Sequence, residues 1–184
     1  MLRYCFGFIL SKTHQIMTHT TEQVLQDIAN ALDNYIQQDI KPSLMTGRSG
    51  IALFYAYYYR LTGKESYLET LGQQITLCIE DLLKEYPGYN HCNGLAGIAW
   101  ALQHLVNIGI ADAADFEELL NSCDNVLSNY MDAELAEHGY DFLHEGLGVV
   151  LYFLERMPQQ KAQVQLEKAV QYLEKAARQH TSGI

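Results

Sequence analysis

The sequence predicts an all-α protein built from paired helices, and three observations support that class. A glycine-marked segment recurs three times, as SLMTGRSGIALFYAYYYRLTG from Ser43, NHCNGLAGIAWALQHLVNIG from Asn90 and YDFLHEGLGVVLYFLER from Tyr140. The step from Gly47 to Gly94 is 47 residues and that from Gly97 to Gly148 is 51, periods that fit helical-hairpin repeats. The segments between the copies carry apolar residues three or four apart, and no stretch alternates apolar and polar residues as a strand would.

In chain order, Thr20 and Gln23 form a capping box ahead of Val24, Leu25, Ile28, Leu32, Tyr35 and Ile36, which marks a first helix with one apolar stripe. The first glycine copy follows, apolar and aromatic nearly all round until Gly63 stops it. Tyr67, Leu68, Leu71, Ile75, Cys78, Leu82 and Leu83 mark a second striped helix, closed by Pro87-Gly88. The second glycine copy ends at Gly109, and Phe116, Leu119, Leu120, Cys123, Val126, Leu127 and Tyr130 mark a third striped helix. The third copy ends at Pro158, and Ala162, Leu166, Ala169, Leu173 and Ala176 mark a fourth. Helices with one apolar stripe belong outside and helices apolar all round belong inside, so outer and inner alternate.

Such hairpins either run on as an open solenoid or close into a double-layered ring, an α/α toroid. The apolarity of the glycine-led helices favours the ring. Three inner helices cannot close one, and RQHTSGI stands where a fourth glycine turn would be due. Residues 18–184 therefore read as the N-terminal part of a longer toroid, an incomplete ring of about seven helices. Residues 1–17 read as a leader, disordered or from a misassigned start: Arg3 and the run Tyr4 to Leu10 imitate a signal peptide, but the apolar core is short and no small-x-small cleavage site follows.

Composition narrows the function. The net charge is −10, with 12 Lys and Arg against 22 Asp and Glu. No cluster of basic residues offsets this, so nucleic acid and anionic lipid are disfavoured and a cationic peptide is favoured. No apolar run reaches the roughly 18 residues that span a bilayer. Cys5, Cys78, Cys92 and Cys123 form no Cys-x-x-Cys pair, which predicts reduced thiols and a cytoplasmic setting.

With GRSGIALF, CNGLAGIAWALQHL and YDFLHEGLGVVLYFLER in place, the chain resembles the lanthionine synthetase C-like family of peptide cyclases, over roughly Thr20 to Gln179. The resemblance implies an α/α toroid and a zinc enzyme that adds cysteine thiols across dehydroalanine or dehydrobutyrine, closing thioether rings in a precursor peptide. Zinc would stabilise the thiolate, and a positioned acid would protonate the enolate left by attack. The family's ligands, two Cys and one His, belong to later repeats. The resemblance therefore implies zinc for the full-length family and no metal site in this chain. Its partners would be the precursor peptide and a dehydratase.

The family's acid/base Asp maps onto Asp141, seven residues ahead of Gly148. Read from the residues alone, Asp141 is a helix cap. Glu145 departs from the pattern by replacing the first glycine, and is expected either to strain the turn or to pass the glycine role to Gly146. His144 stands in the register slot of a zinc-binding His and is a secondary catalytic candidate. Cys92 stands in that of a zinc-binding Cys, which suggests a vestigial metal site, although a buried thiol and a hydrogen-bonded His explain both as well. Phe54, Tyr55, Tyr57, Tyr58 and Tyr59 read as core with hydroxyls at a wet edge, or as a peptide-binding surface. His14, His19, His104, His138 and His180 show no metal spacing. Two functions result. One is part of a peptide cyclase, inactive alone. The other is a non-catalytic helical-repeat module that holds a peptide or protein. Open ends of the helix layer would favour self-association.

Overall fold

The computed structural model describes residues 20–84 and 87–181, so the predicted leader and Cys5 lie outside the described residues. The described residues form seven helices and no strand. These are α1 at 20–35, α2 at Arg48–Thr62, α3 at Glu65–Lys84, α4 at Leu95–Asn107, α5 at Ala113–Ala136, α6 at Gly146–Glu155 and α7 at Gln160–Thr181. The protein is all-α, of the α/α toroid kind. The chain divides into two compact units, Met1–Asp39 and Ile40–Ile184.

In the first unit, α1 is already helical at residue 20, so Thr20 sits within the helix rather than ahead of it. Ala29 is buried, while Val24, Ile28 and Tyr35 of the predicted stripe are exposed.

The second unit has two layers. Helix α2 packs on α3 and α4, α4 on α5 and α6, and α6 on α5 and α7. The three glycine-led helices therefore form the inner layer, with α3, α5 and α7 behind them. Ile51, Tyr55, Ile98, Leu102, Leu105, Val149, Tyr152 and Phe153 of the inner layer are buried, as are Leu71, Ile75, Phe116, Leu120 and Leu127 of the outer layer. Each buried large side chain stabilises the fold by about 1.5–3 kcal/mol. Not every stripe residue is core. Leu83 is exposed because it lies one residue, about 100° of helix, off the line through Leu71, Ile75 and Cys78. Helix α7 buries the heptad-spaced Ala162, Ala169 and Ala176, and Leu173 stays partly outside.

Local stops match the glycines. Gly63 adopts the left-handed region (φ 69°), and its amide donates to the Tyr59 carbonyl at 2.7 Å. Gly109 (φ 72°) follows α4. At the other end, each inner helix begins the same way: the amide of its first residue reaches a carbonyl seven residues back. Arg48 reaches Lys41 at 2.9 Å, Leu95 reaches Gly88 at 2.9 Å and Gly146 reaches Gly139 at 3.2 Å. The chain thus wraps beneath its own helix start, and it leaves no room for side chains there. A Cβ on Gly97 would lie 1.9 Å from the His91 carbonyl oxygen and 2.9 Å from Leu44 Cβ. On Gly148 it would lie 2.5 Å from the Phe142 oxygen and 2.6 Å from His91 Cβ. The second glycine of each copy is therefore a close-packing residue, seated against its own turn and, in the second and third copies, against the preceding copy's as well.

The turns are also bonded to one another. The Met45 amide donates to the Cys92 carbonyl at 3.1 Å, and the Cys92 amide donates to the Leu143 carbonyl at 2.8 Å. These three residues hold equivalent places, so a short ladder of main-chain bonds lines up the starts of α2, α4 and α6. Near the other end of α6 a buried ion pair clamps the layers. Arg156 donates to Asp124 on α5 through Nε (3.2 Å) and Nη2 (2.9 Å), and also to Gln103 on α4 and Asn121 on α5. The Tyr152 hydroxyl donates to the same carboxylate at 2.5 Å. Burial first, then the Asp124 charge, pushes the Tyr152 phenol far up, so it remains a donor.

Candidate functional site

The third glycine turn collects the predicted site residues, and its shape follows from side chains that bond to their own backbone. Four residues before each helix cap stands a short polar residue: Ser43, Asn90 and Asp141. Each turns toward the residue three further on. Ser43 Oγ lies 3.1 Å from Thr46 Oγ1, and Asn90 Oδ1 accepts the Asn93 amide at 2.8 Å. Asp141 Oδ1 accepts the His144 amide at 2.7 Å and the Leu143 amide at 2.9 Å. These bonds close turns ahead of the helices and are not helix caps: the amides that Asp141 accepts precede the cap residue Glu145, which itself makes no side-chain capping bond. In the two earlier copies the amide equivalent to that of Leu143 crosses to the next turn. Here it folds back onto Asp141.

Asp141 also holds the His144 ring, with Oδ1 3.0 Å from Nδ1. Both side chains are more than half exposed, at 53% and 59%. The His144 amide first, then the Leu143 amide, with the His144 side chain adding, hold the Asp141 carboxyl below the usual aspartate range. At neutral pH it is a carboxylate, able to take a proton and to orient an imidazole.

Glu145 neither strains the turn nor passes its role to Gly146. Its φ of −126° is ordinary extended backbone, as at Gly47 and Gly94, which cap the other inner helices. The Glu145 carboxylate accepts the Asp141 amide at 2.8 Å, and the Glu145 amide donates to the Asp141 carbonyl at 3.1 Å. Asp141 and Glu145 therefore close the turn reciprocally. Gly146 is the first helical residue, and a Cβ there would press the Leu135 side chain at 2.9 Å.

Cys92 lies half-buried at the centre of the turn ladder, and its thiol is free. No hydrogen bond joins its sulfur to His144, and among the described residues no group of three or more His, Cys, Asp or Glu side chains is placed to hold a metal ion. The donor set among the described residues therefore does not fit the zinc that the resemblance implies for the family. His91, beside Cys92, is buried with Nδ1 unpartnered. Its ring meets Trp100 edge-on at 5.8 Å and Phe142 at 5.8 Å. Burial lowers its pKa and keeps it neutral. Cys78 and Cys123 are the small buried groups expected: burial pushes their thiols up to about 12 and about 11.

The aromatic run on α2 splits, with Tyr55 and Tyr58 buried and Tyr57 exposed. Tyr57 belongs to a cluster that motif reading missed. Its hydroxyl lies 2.5 Å from His104 Nε2, and His104 Nδ1 lies 2.8 Å from Glu155 Oε1. The available signal was the repeat register, since the steps of 47 and 51 lead from Tyr57 to His104 and on to Glu155.

A family model described as lanthionine synthetase C-like protein matches residues 38–183. No curated protein matches the chain. Among the described residues, no helix is long and apolar enough to cross a membrane.

Proposed function

This chain belongs to the lanthionine synthetase C-like family, and on that premise we propose that it forms part of a peptide cyclase acting on a dehydrated precursor peptide. In that reaction a cysteine sulfur bonds to the β-carbon of a dehydroalanine or dehydrobutyrine, and the π electrons move onto the carbonyl as an enolate. The α-carbon then takes a proton. The observation that supports the reading is the exposed Asp141–His144 pair, held at the head of an inner helix by two backbone amides.

A carboxylate held below its usual range does not donate a proton by itself. Asp141 serves best by fixing His144 through Nδ1, which leaves Nε2 to carry the proton to the α-carbon. The pair then works as one acid/base unit. The metal ligands that the family uses are not supplied by the described residues, so we expect no ring closure from this chain alone. The chain would supply inner wall, contacts to the precursor and the proton unit. A dehydratase partner and a cytoplasmic setting accompany this reading.

Ring closure conserves mass, so it is followed by loss of alkylatable cysteine in a dehydrated precursor. In the complete cyclase, Asp141→Asn should slow closure by about 10²-fold or more, the scale of a lost proton-transfer group. Equal rates per folded molecule would leave Asp141 as a turn-closing residue only. That outcome favours the second reading, a peptide-holding repeat module, which draws on one specific observation: Asp141 shares its slot with Ser43 and Asn90, whose side chains bond within their own turns.

A further inference from the structure

The cluster of Tyr57, His104 and Glu155 lies away from the glycine turns. Each is the tenth residue of its inner helix, roughly 15 Å along the axis from the helix cap. The three bond in series across α2, α4 and α6. Glu155 Oε1 faces His104 Nδ1 at 2.8 Å, and Tyr57 Oη faces His104 Nε2 at 2.5 Å. With the Nδ1 proton held by the carboxylate, Nε2 is the acceptor and the phenol donates to it. The carboxylate is itself fixed, because Asn107 Nδ2 donates to Glu155 Oε1 at 2.9 Å and to the Glu155 carbonyl at 2.7 Å. The inner two members are sheltered, with side chains 19% and 20% exposed, whereas Tyr57 is 49% exposed. The hydroxyl of a half-exposed tyrosine, backed by an imidazole that a carboxylate orients, is the arrangement that activates a hydroxyl.

We propose that Tyr57, His104 and Glu155 form a base relay that takes a proton from a neutral or cationic donor, a thiol or an amine, bound against the exposed face of α2. The donor's proton passes to Tyr57 Oη as the phenol proton passes to His104 Nε2. This leaves a thiolate or a free amine and an imidazolium. The surroundings suit positive charge on that ring. Glu155 pairs with it, and Trp100 stacks on it at 4.9 Å and 10°. It also sits in the last turn of α4, with Glu155 ending α6, so helix carbonyl ends add negative potential. The same field disfavours phosphates and carboxylates as substrates. Tyr57 is the residue that touches substrate, and Glu155 and Asn107 are positioning residues. The relay stands independently of the cyclase reading, since it shares no residue with the Asp141 turn.

The test measures how readily the phenol gives up its proton. The intact chain is treated with benzenesulfonyl fluoride, and modification of each tyrosine is timed by peptide mass spectrometry. In that reaction the phenol oxygen bonds to sulfur, fluoride leaves and the proton goes to His104. Tyr57 should be modified at least about tenfold faster than Tyr35, a similarly exposed tyrosine without such a partner, in keeping with base assistance. His104→Gln keeps a hydrogen-bonding side chain but no base, and should bring Tyr57 down to the Tyr35 rate while the helical circular dichroism is unchanged. Glu155→Gln should give an intermediate rate. A purely structural hydrogen bond would leave Tyr57 no faster than Tyr35, or equally fast in His104→Gln, and either result overturns the relay. A carboxylate-bearing benzenesulfonyl fluoride should lose the preference for Tyr57. If it keeps that preference, the assignment to neutral or cationic substrates is wrong.

Discussion

Gly97→Ala and Gly72→Ala make the same chemical change in a helix and should move stability in opposite directions. Alanine in place of a helical glycine stabilises by about 0.5–1 kcal/mol, because the unfolded chain loses freedom. At Gly72, exposed on α3, a new Cβ meets nothing within 4 Å, so the whole gain is expressed. At Gly97 the Cβ would sit 1.9 Å from the His91 carbonyl oxygen, where ordinary contact begins near 3.4 Å. The turn must retreat by roughly 1.5 Å. Forced repacking costs about 1–3 kcal/mol. The retreat also disrupts the two ladder bonds at Cys92, from Met45 and to Leu143, each worth about 1 kcal/mol. Set against the helix gain, the net loss is about 2–4 kcal/mol.

For a chain of this length each kcal/mol moves Tm by about 2–4 °C. Thermal unfolding followed at 222 nm should therefore show Gly72→Ala a few degrees above the parent and Gly97→Ala roughly 5–15 °C below it. A Gly97→Ala protein as stable as the parent would refute the close-packed ladder, and with it the claim that inner-helix starts are held in line. Gly148→Ala repeats the clash beside Phe142 and should also disturb the Asp141 turn.

Three more outcomes are expected. Asp124→Ala strands the Arg156 guanidinium in the core and should cost about 3–5 kcal/mol, whereas Tyr152→Phe removes one donor from an otherwise satisfied carboxylate and should cost about 1–2 kcal/mol in urea unfolding. His91, whose folded pKa lies below the ordinary 6.5, binds fewer protons folded than unfolded, so its contribution to stability is present above pH 6.5 and drains away as pH falls below it. His91→Phe keeps the ring contacts and should flatten that acid-side slope in unfolding curves; an unchanged slope would mean that His91 titrates freely. Iodoacetamide at pH 8 should alkylate Cys92 while Cys78 and Cys123, raised to about 12 and about 11, stay unmodified until the protein unfolds; rapid modification of Cys78 would contradict its burial.

How much of this was legible in the sequence depended on which physical force set each feature. Helix existence and layer were legible because burial imposes them: glycine-led helices without a wet face could only go inside, and Pro and Gly marked the stops. The ends of the stripes were less so, since Leu83 is apolar yet lies one residue off the buried line. Asp141 could be singled out by its motif, but its amide partners and its reciprocal bond with Glu145 depend on the path of a turn, which no spacing rule specifies. From the sequence, Glu145 reads either as straining the turn or as passing the glycine role to Gly146, because spacing does not show what the usual glycine is for. The cap positions are ordinary extended backbone, and the glycines serve close approach instead.

The relay residues carry no motif for a different reason. Tyr57 reads as core with its hydroxyl at a wet edge, or as peptide-binding surface, and His104 shows no metal spacing. In a tandem repeat the neighbours of a side chain are the same slot one copy before and one after, so the register steps apply to every position and not only to the glycines. Slots then differ in where their side chains are spent. Ser43, Asn90 and Asp141 bond within their own turns, which makes that slot a turn-closing slot first. Tyr57, His104 and Glu155 bond from copy to copy, where three different residues in one slot can divide the roles of hydroxyl, base and carboxylate among them. Chemistry that needs three unlike groups in a line across the inner helices can draw on slots of the second kind.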